Sequence, residues 1–162
     1  MSEDDALVSD RSGFELPLLL LGGFRSLIDE LHVRLARQGH EQARPIHGFA
    51  LQALGQEGVT ISELGRRLGV SKQAAAKTAA NLERLGYASR VRHPKDGRAW
   101  VLAATARGIE MLTLSAAAFE ELRQLWIDEL GERRVNALEN DLETMLGRHG
   151  PQPIADTPGW LN

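Results

Sequence analysis

Residues 60–87 read TISELGRRLGVSKQAAAKTAANLERLGY, and this stretch holds two short helices separated by a turn. Thr60 or Ser62 offers a side-chain oxygen to cap the first, whose Leu64 and Leu68 recur at helical spacing and are expected to face inward. Gly69 stops that helix, with Val70 buried in the turn. Ser71 caps the second helix, which runs to about Leu85 before Gly86 stops it. Two short helices across a tight Gly-containing turn make a helix-turn-helix. After Gly86 the period changes. Tyr87–Arg92 reads as a short strand, residues 93–97 (HPKDG) as a turn, and Arg98–Ala103 as a second strand. A hairpin with a basic tip directly after a helix-turn-helix is a wing.

Working outward, Glu15–Gln38 predicts a long helix, because Leu16, Leu19, Leu20, Phe24, Leu27, Ile28, Leu31 and Leu35 recur at three- and four-residue steps. A second helix is expected over Arg44–Leu54, with Pro45 in its first turn. On the other side of the wing, Thr105 caps a long helix to about Leu130. Its apolar positions are Ile109, Leu112, Leu114, Ala118, Phe119, Leu122, Leu125 and Trp126. Gly131 breaks it, and Arg133–Leu146 forms a last helix. These flanking helices carry more apolar surface than so small a central module can cover, which points to pairing across a two-fold axis. The expected organisation is a disordered tail over 1–13, helical dimerisation segments over 14–40 and 105–148, a winged lobe over 43–104, and a flexible tail over 149–162 containing Trp160.

Composition agrees with a mainly α fold carrying a small two-stranded β-wing. Of the 162 residues, 43% are apolar and only 5% aromatic, as expected of a helical chain. The absence of Cys excludes disulfides, thiolate zinc sites and thiol redox sensing, and fits a reducing, cytoplasmic setting. The acidic start is unlike a signal peptide, and the run Leu16–Phe24 is too short to span a bilayer. Net charge is −3, which alone argues against a polyanionic partner. Its distribution reverses that argument. Residues 62–98 hold nine Lys/Arg against three acids, a local +6 that leaves −9 on the remainder. A basic module on an acidic body is the footprint of a face that meets phosphates.

The order of two helices, a helix-turn-helix, a wing and two more helices resembles the MarR family of bacterial regulators over roughly Leu16–Leu146. The wing string DGRAWVLAATARG is the most specific part. Asp96, Arg98, Leu102, Thr105 and Gly108 fit the family pattern, whereas Ala104 stands where Leu is usual and loosens packing under the wing. In SKQAAAKTAANLERLGYASR, Leu82, Leu85, Gly86 and Arg90 also fit. The resemblance implies a homodimeric regulator, a repressor by expectation, on a palindromic double-stranded DNA operator, with Arg98 entering the minor groove and Asp96 holding its guanidinium or ordering the turn.

The residues themselves suggest how contacts would be divided. In the second helix of the motif, Ala75, Ala79 and Leu82 form the packing side, while Gln73, Ala74, Lys77 and Asn81 form the other. Gln suits adenine, Lys suits guanine or phosphate, and an Ala methyl suits thymine. Ser71 and Lys72 sit at a helix N-terminus, where a phosphate is favoured. Arg92, His93 and Lys95 add phosphate contacts from the wing. The resemblance further implies a small aromatic or anionic effector, and Arg25, His32, His47, Phe49 and Trp126 lie on segments able to line its pocket; His47 reads first as a packed helix residue. No nucleophile–base pair, phosphate loop or metal-ligand spacing is present, so no enzyme activity, cofactor or metal is expected. A winged-helix regulator of another family, or a winged-helix protein-interaction module, is the alternative.

Overall fold

The structure is a computed structural model that describes residues 12–147. Eight elements follow in chain order: α1 (Glu15–Arg37), α2 (Pro45–Leu54), α3 (Ile61–Leu68), α4 (Lys72–Arg84), β1 (Ala88–Arg92), β2 (Trp100–Ala104), α5 (Ala106–Leu130) and α6 (Glu132–Gly147). The two tails expected at the ends, and Trp160 with them, lie mostly outside the described residues. None of the helices described is long and apolar enough to cross a membrane.

The caps predicted from sequence set the boundaries. Thr60 accepts a hydrogen bond from the Glu63 N–H, Ser71 from Ala74, and Thr105 from Gly108. Each pairs a donor that would otherwise lack an intrahelical partner. Gly69, after α3, is left-handed at φ 65°, a conformation that strains any residue with a Cβ.

One continuous core joins the elements. Ile28, Leu31 and Leu35 of α1, Ala50, Leu51 and Leu54 of α2, Leu64 and Leu68 of α3, and Met111 and Ala118 of α5 are all buried in it. Ala75, Ala79 and Leu82 of α4 have no exposed surface, as their spacing predicts. Gly65 lets α3 and α4 close together: a Cβ there would meet the Val70 carbonyl at 3.0 Å and the Ala75 methyl at 3.4 Å.

The wing is an antiparallel pair with Ala88 opposite Ala104 and Arg92 opposite Trp100. It differs from expectation in two respects. The second strand begins at Trp100, so Arg98 belongs to the turn, where Ala99 N–H donates to the Asp96 carbonyl and His93 N–H to the Ala99 carbonyl. In addition, Val59 pairs with Leu102 through two backbone hydrogen bonds of 3.0 and 2.8 Å, tying the wing to the α2–α3 connection.

The flanking helices also depart from their apolar stripes. Leu16, Leu19 and Leu20 are exposed, as are Ile109, Phe119 and Leu125, while Met111 and Ser115 are buried in α5. Periodicity marks the apolar face of a helix without saying which part of it this chain covers.

Candidate nucleic-acid interface

α4 is held by its buried alanines, and that sets what it shows outward. Ser71, Lys72, Gln73, Ala74, Ala76 and Lys77 are exposed and Asn81 is half-buried. The Ser71 oxygen is occupied as an acceptor by the Ala74 N–H at 3.1 Å, which leaves its hydroxyl proton to donate to a ligand at the helix start. The structure therefore leaves the α4 candidates accessible, with Gln73, Ala74, Lys77 and Asn81 on the side away from the buried Ala75, Ala79 and Leu82.

The wing turn is organised from within. His93 Nδ1 accepts from the N–H groups of both Lys95 and Asp96, at 3.1 and 3.0 Å. The Asp96 carboxylate accepts from the Arg98 N–H at 3.2 Å. Of the two roles open to Asp96, the geometry shows turn ordering. The Arg98 guanidinium has no hydrogen-bond or ion-pair partner among the described residues and is exposed. Arg92 and Lys95 are more committed. Arg92 lies 4.3 Å from the centre of the Trp100 ring and donates to the Arg98 carbonyl, while Lys95 pairs with Glu57 at 2.6 Å.

Not every cation counted in the basic segment is available. Glu63 binds Arg66 and Arg67 at 2.7 Å each, and these hydrogen bonds pull its carboxyl down to about 2. Arg90 lies 3.4 Å from Glu83. Both Arg66 and Arg67 stand three and four residues after Glu63, a spacing that places them beside it on a helix. The sequence carried this signal, and a plain count of charges passes over it.

The five effector candidates are dispersed. His32 and Phe49 share a small cleft of about 50 Å³ between α1, α2 and α5. Trp126 lines a separate apolar groove with Leu19, Leu20 and Leu138. His47 is buried and borders a third cavity beside α4. Arg25 is exposed on α1.

His47 behaves as the packed residue its position suggests. Its Nδ1 accepts from the Arg44 N–H at 3.1 Å. Burial, with Arg44 and Arg84 nearby, pushes its pKa down to about 4 from 6.5. The ring is thus neutral in the folded chain at pH 7, whereas the unfolded chain takes up a proton below 6.5. Stability contributed by His47 is complete above that value and is lost as pH falls toward about 4. The whole window is worth about 3 kcal/mol. Urea midpoints measured across it should decline for the wild type and decline less for His47→Gln. An equal decline in both would remove His47 as the cause.

Together these features define a winged helix-turn-helix protein with long helices on either side. More narrowly, the chain has the fold of MarR-family transcriptional regulators, and the model of the MarR family matches residues 44–99, from the start of α2 through the wing turn. No curated protein matches the sequence. Among solved structures, MepR of S. aureus bound to ethidium bromide is similar at 19% identity and a TM-score of 0.58, covering 88% of this chain and 100% of that one. A MepR mutant bound to an oligodeoxyribonucleotide gives 18%, a TM-score of 0.54, and coverage of 86% and 100%. YusO of Bacillus subtilis gives 21%, 0.61, and coverage of 83% and 97%. At these identities the likeness concerns the fold.

Proposed function

We propose that this chain is a DNA-binding transcriptional regulator of the cytoplasm, a repressor that binds a palindromic operator as a homodimer. One observation carries the reading. α4 buries Ala75, Ala79 and Leu82 while exposing Gln73, Ala74 and Lys77, and the exposed guanidinium of Arg98 stands on the wing that follows. A helix with polar, hydrogen-bonding side chains fits the major groove and reads base edges. An arginine on a hairpin suits the narrow minor groove, where the negative potential is strongest. Ser71, Lys72, Asn81, Arg92 and Lys95 would supply flanking contacts, with Asp96 holding the turn. Lys95 would have to exchange Glu57 for a phosphate.

Dimerisation is supported by the apolar groove of about 530 Å³ lined by Leu16, Leu19, Leu20, Phe119 and Leu138. Exposed leucines in such density are unfavourable in water and favour a second copy of α1, α5 and α6. For an effector, His32 and Phe49 are the candidates that share a cleft. A drug-sized ligand needs roughly 300 Å³ or more, so binding would require α2 to move away from α1. A ligand preferring that opened state would shift the population away from the arrangement that fits DNA.

Selection of bound duplexes from a random pool tests the proposal. The expected product is an inverted repeat with half-sites about one helical turn apart. Failure to enrich any duplex would refute DNA as the ligand, and enrichment of a single unrepeated site would refute the two-fold arrangement.

A further inference from the structure

Beside α4 lies an open groove of about 590 Å³ whose lining includes Gln42, Arg44, His47, Lys77, Asn81 and Arg84, and no carboxylate. Its two arginines lack acidic partners among the described residues. Arg84 Nη1 donates to the Gln42 side-chain oxygen at 3.2 Å, and Arg44 Nη1 donates to the Ala43 carbonyl at 3.5 Å. This contrasts with Arg66 and Arg67, which share Glu63 as an ion-pair partner. Both groove arginines also act on buried His47 in the direction that opposes protonation, so their positive potential converges at this spot.

The position of the groove is as informative as its charge. α4 has 13 residues and is therefore about 20 Å long, whereas the major groove is about 12 Å wide. A helix whose first turns reach base edges carries its last turn at the rim of the groove, where phosphates run. Arg84 is the last residue of α4, and Gln42 and Arg44, just before α2, line the same groove, with Gln42 bonded to Arg84. Accepting from Arg84 through its oxygen leaves the Gln42 amide NH₂ as a further donor.

We infer that Gln42, Arg44 and Arg84 form a ledge that takes a phosphodiester of the DNA backbone at the far end of the recognition helix. This rests on the DNA-binding reading above and extends it to residues outside the α4 side and the wing. The ledge fixes how the helix lies in the groove and carries no base preference, since a phosphate is the same at every step.

The test uses the full-length chain and a duplex recovered by selection. Arg84→Gln should lower the magnitude of the slope of log K against log[salt] by about 0.9 for each phosphate that is no longer neutralised, leaving the order of preference among duplexes unchanged. Arg84→Lys should restore the slope. Phenylglyoxal labelling of the wild type needs no variant: duplex should protect Arg44 and Arg84, and pyrophosphate at matched ionic strength should not. Protection by pyrophosphate but not by duplex would make the groove a small-anion site and overturn the ledge. Wild-type binding with both arginines labelled, and an unchanged slope in Arg84→Gln, would also overturn it while sparing the DNA reading. A wild type with no salt dependence would sink that reading instead.

Discussion

Arg98→Ala should weaken duplex binding about tenfold or more, equivalent to about 1.4 kcal/mol, and leave thermal stability unchanged. The wing turn is built without the Arg98 side chain. His93 Nδ1 gathers two N–H groups, the Asp96 carboxylate takes the Arg98 N–H, and the Arg98 carbonyl receives Arg92. An alanine keeps all of these backbone groups and removes only an exposed guanidinium that no described residue engages. Because no internal bond is broken, a loss of affinity would report an interaction that the guanidinium makes with the DNA. Asp96→Ala provides the contrast. It removes the acceptor that orders Arg98, so it should loosen the turn and weaken binding less than deletion of the guanidinium. Fluorescence anisotropy with a labelled duplex, beside thermal unfolding, measures both. Unchanged affinity in Arg98→Ala would eliminate the wing from the interface.

Much of this arrangement is local and could be read from the chain. Thr60, Ser71 and Thr105 cap their helices as their side-chain chemistry dictates, and the three-to-four-residue spacing of Ala75, Ala79 and Leu82 is the buried side of α4. What escaped depends on residues distant in sequence. Nothing near Lys95 announces Glu57, and nothing near Val59 announces Leu102; both partners meet only when the wing folds back on the α2–α3 connection. The effector candidates scattered for the same reason. Choosing Arg25, His32, His47, Phe49 and Trp126 required knowing how α1, α2, α4 and α5 face one another, and residue type does not contain that. The exposed Leu16, Leu19 and Leu20 show a further limit: an apolar stripe identifies a surface to be covered, and what covers it is a property of the assembly.

Gly108→Ala should destabilise the chain by about 2 kcal/mol or more, although helix propensity predicts the opposite sign. Within α5 an alanine is favoured over glycine by about 1 kcal/mol. Here, however, a Cβ would run into the Tyr87 carbonyl oxygen and press on the Leu51 side chain at 3.1 Å. The carbonyl belongs to the backbone and cannot turn aside as a rotamer can. It is also held in place, since it accepts from the Thr105 N–H at 3.0 Å, while Thr105 caps α5 and donates its hydroxyl to the Gly86 carbonyl. Relief of the clash would therefore pull the start of α5 away from the junction of α4 and β1, weakening the cap and the seat of the wing together. Gly48→Ala in α2 serves as the control, because a Cβ there meets nothing within 4 Å. It should be neutral or stabilising by up to about 1 kcal/mol. Urea unfolding of the two variants should thus give shifts of opposite sign or clearly different size. If Gly108→Ala were as stable as the wild type, the close approach of α5 to the Tyr87 carbonyl would not be what this glycine is for.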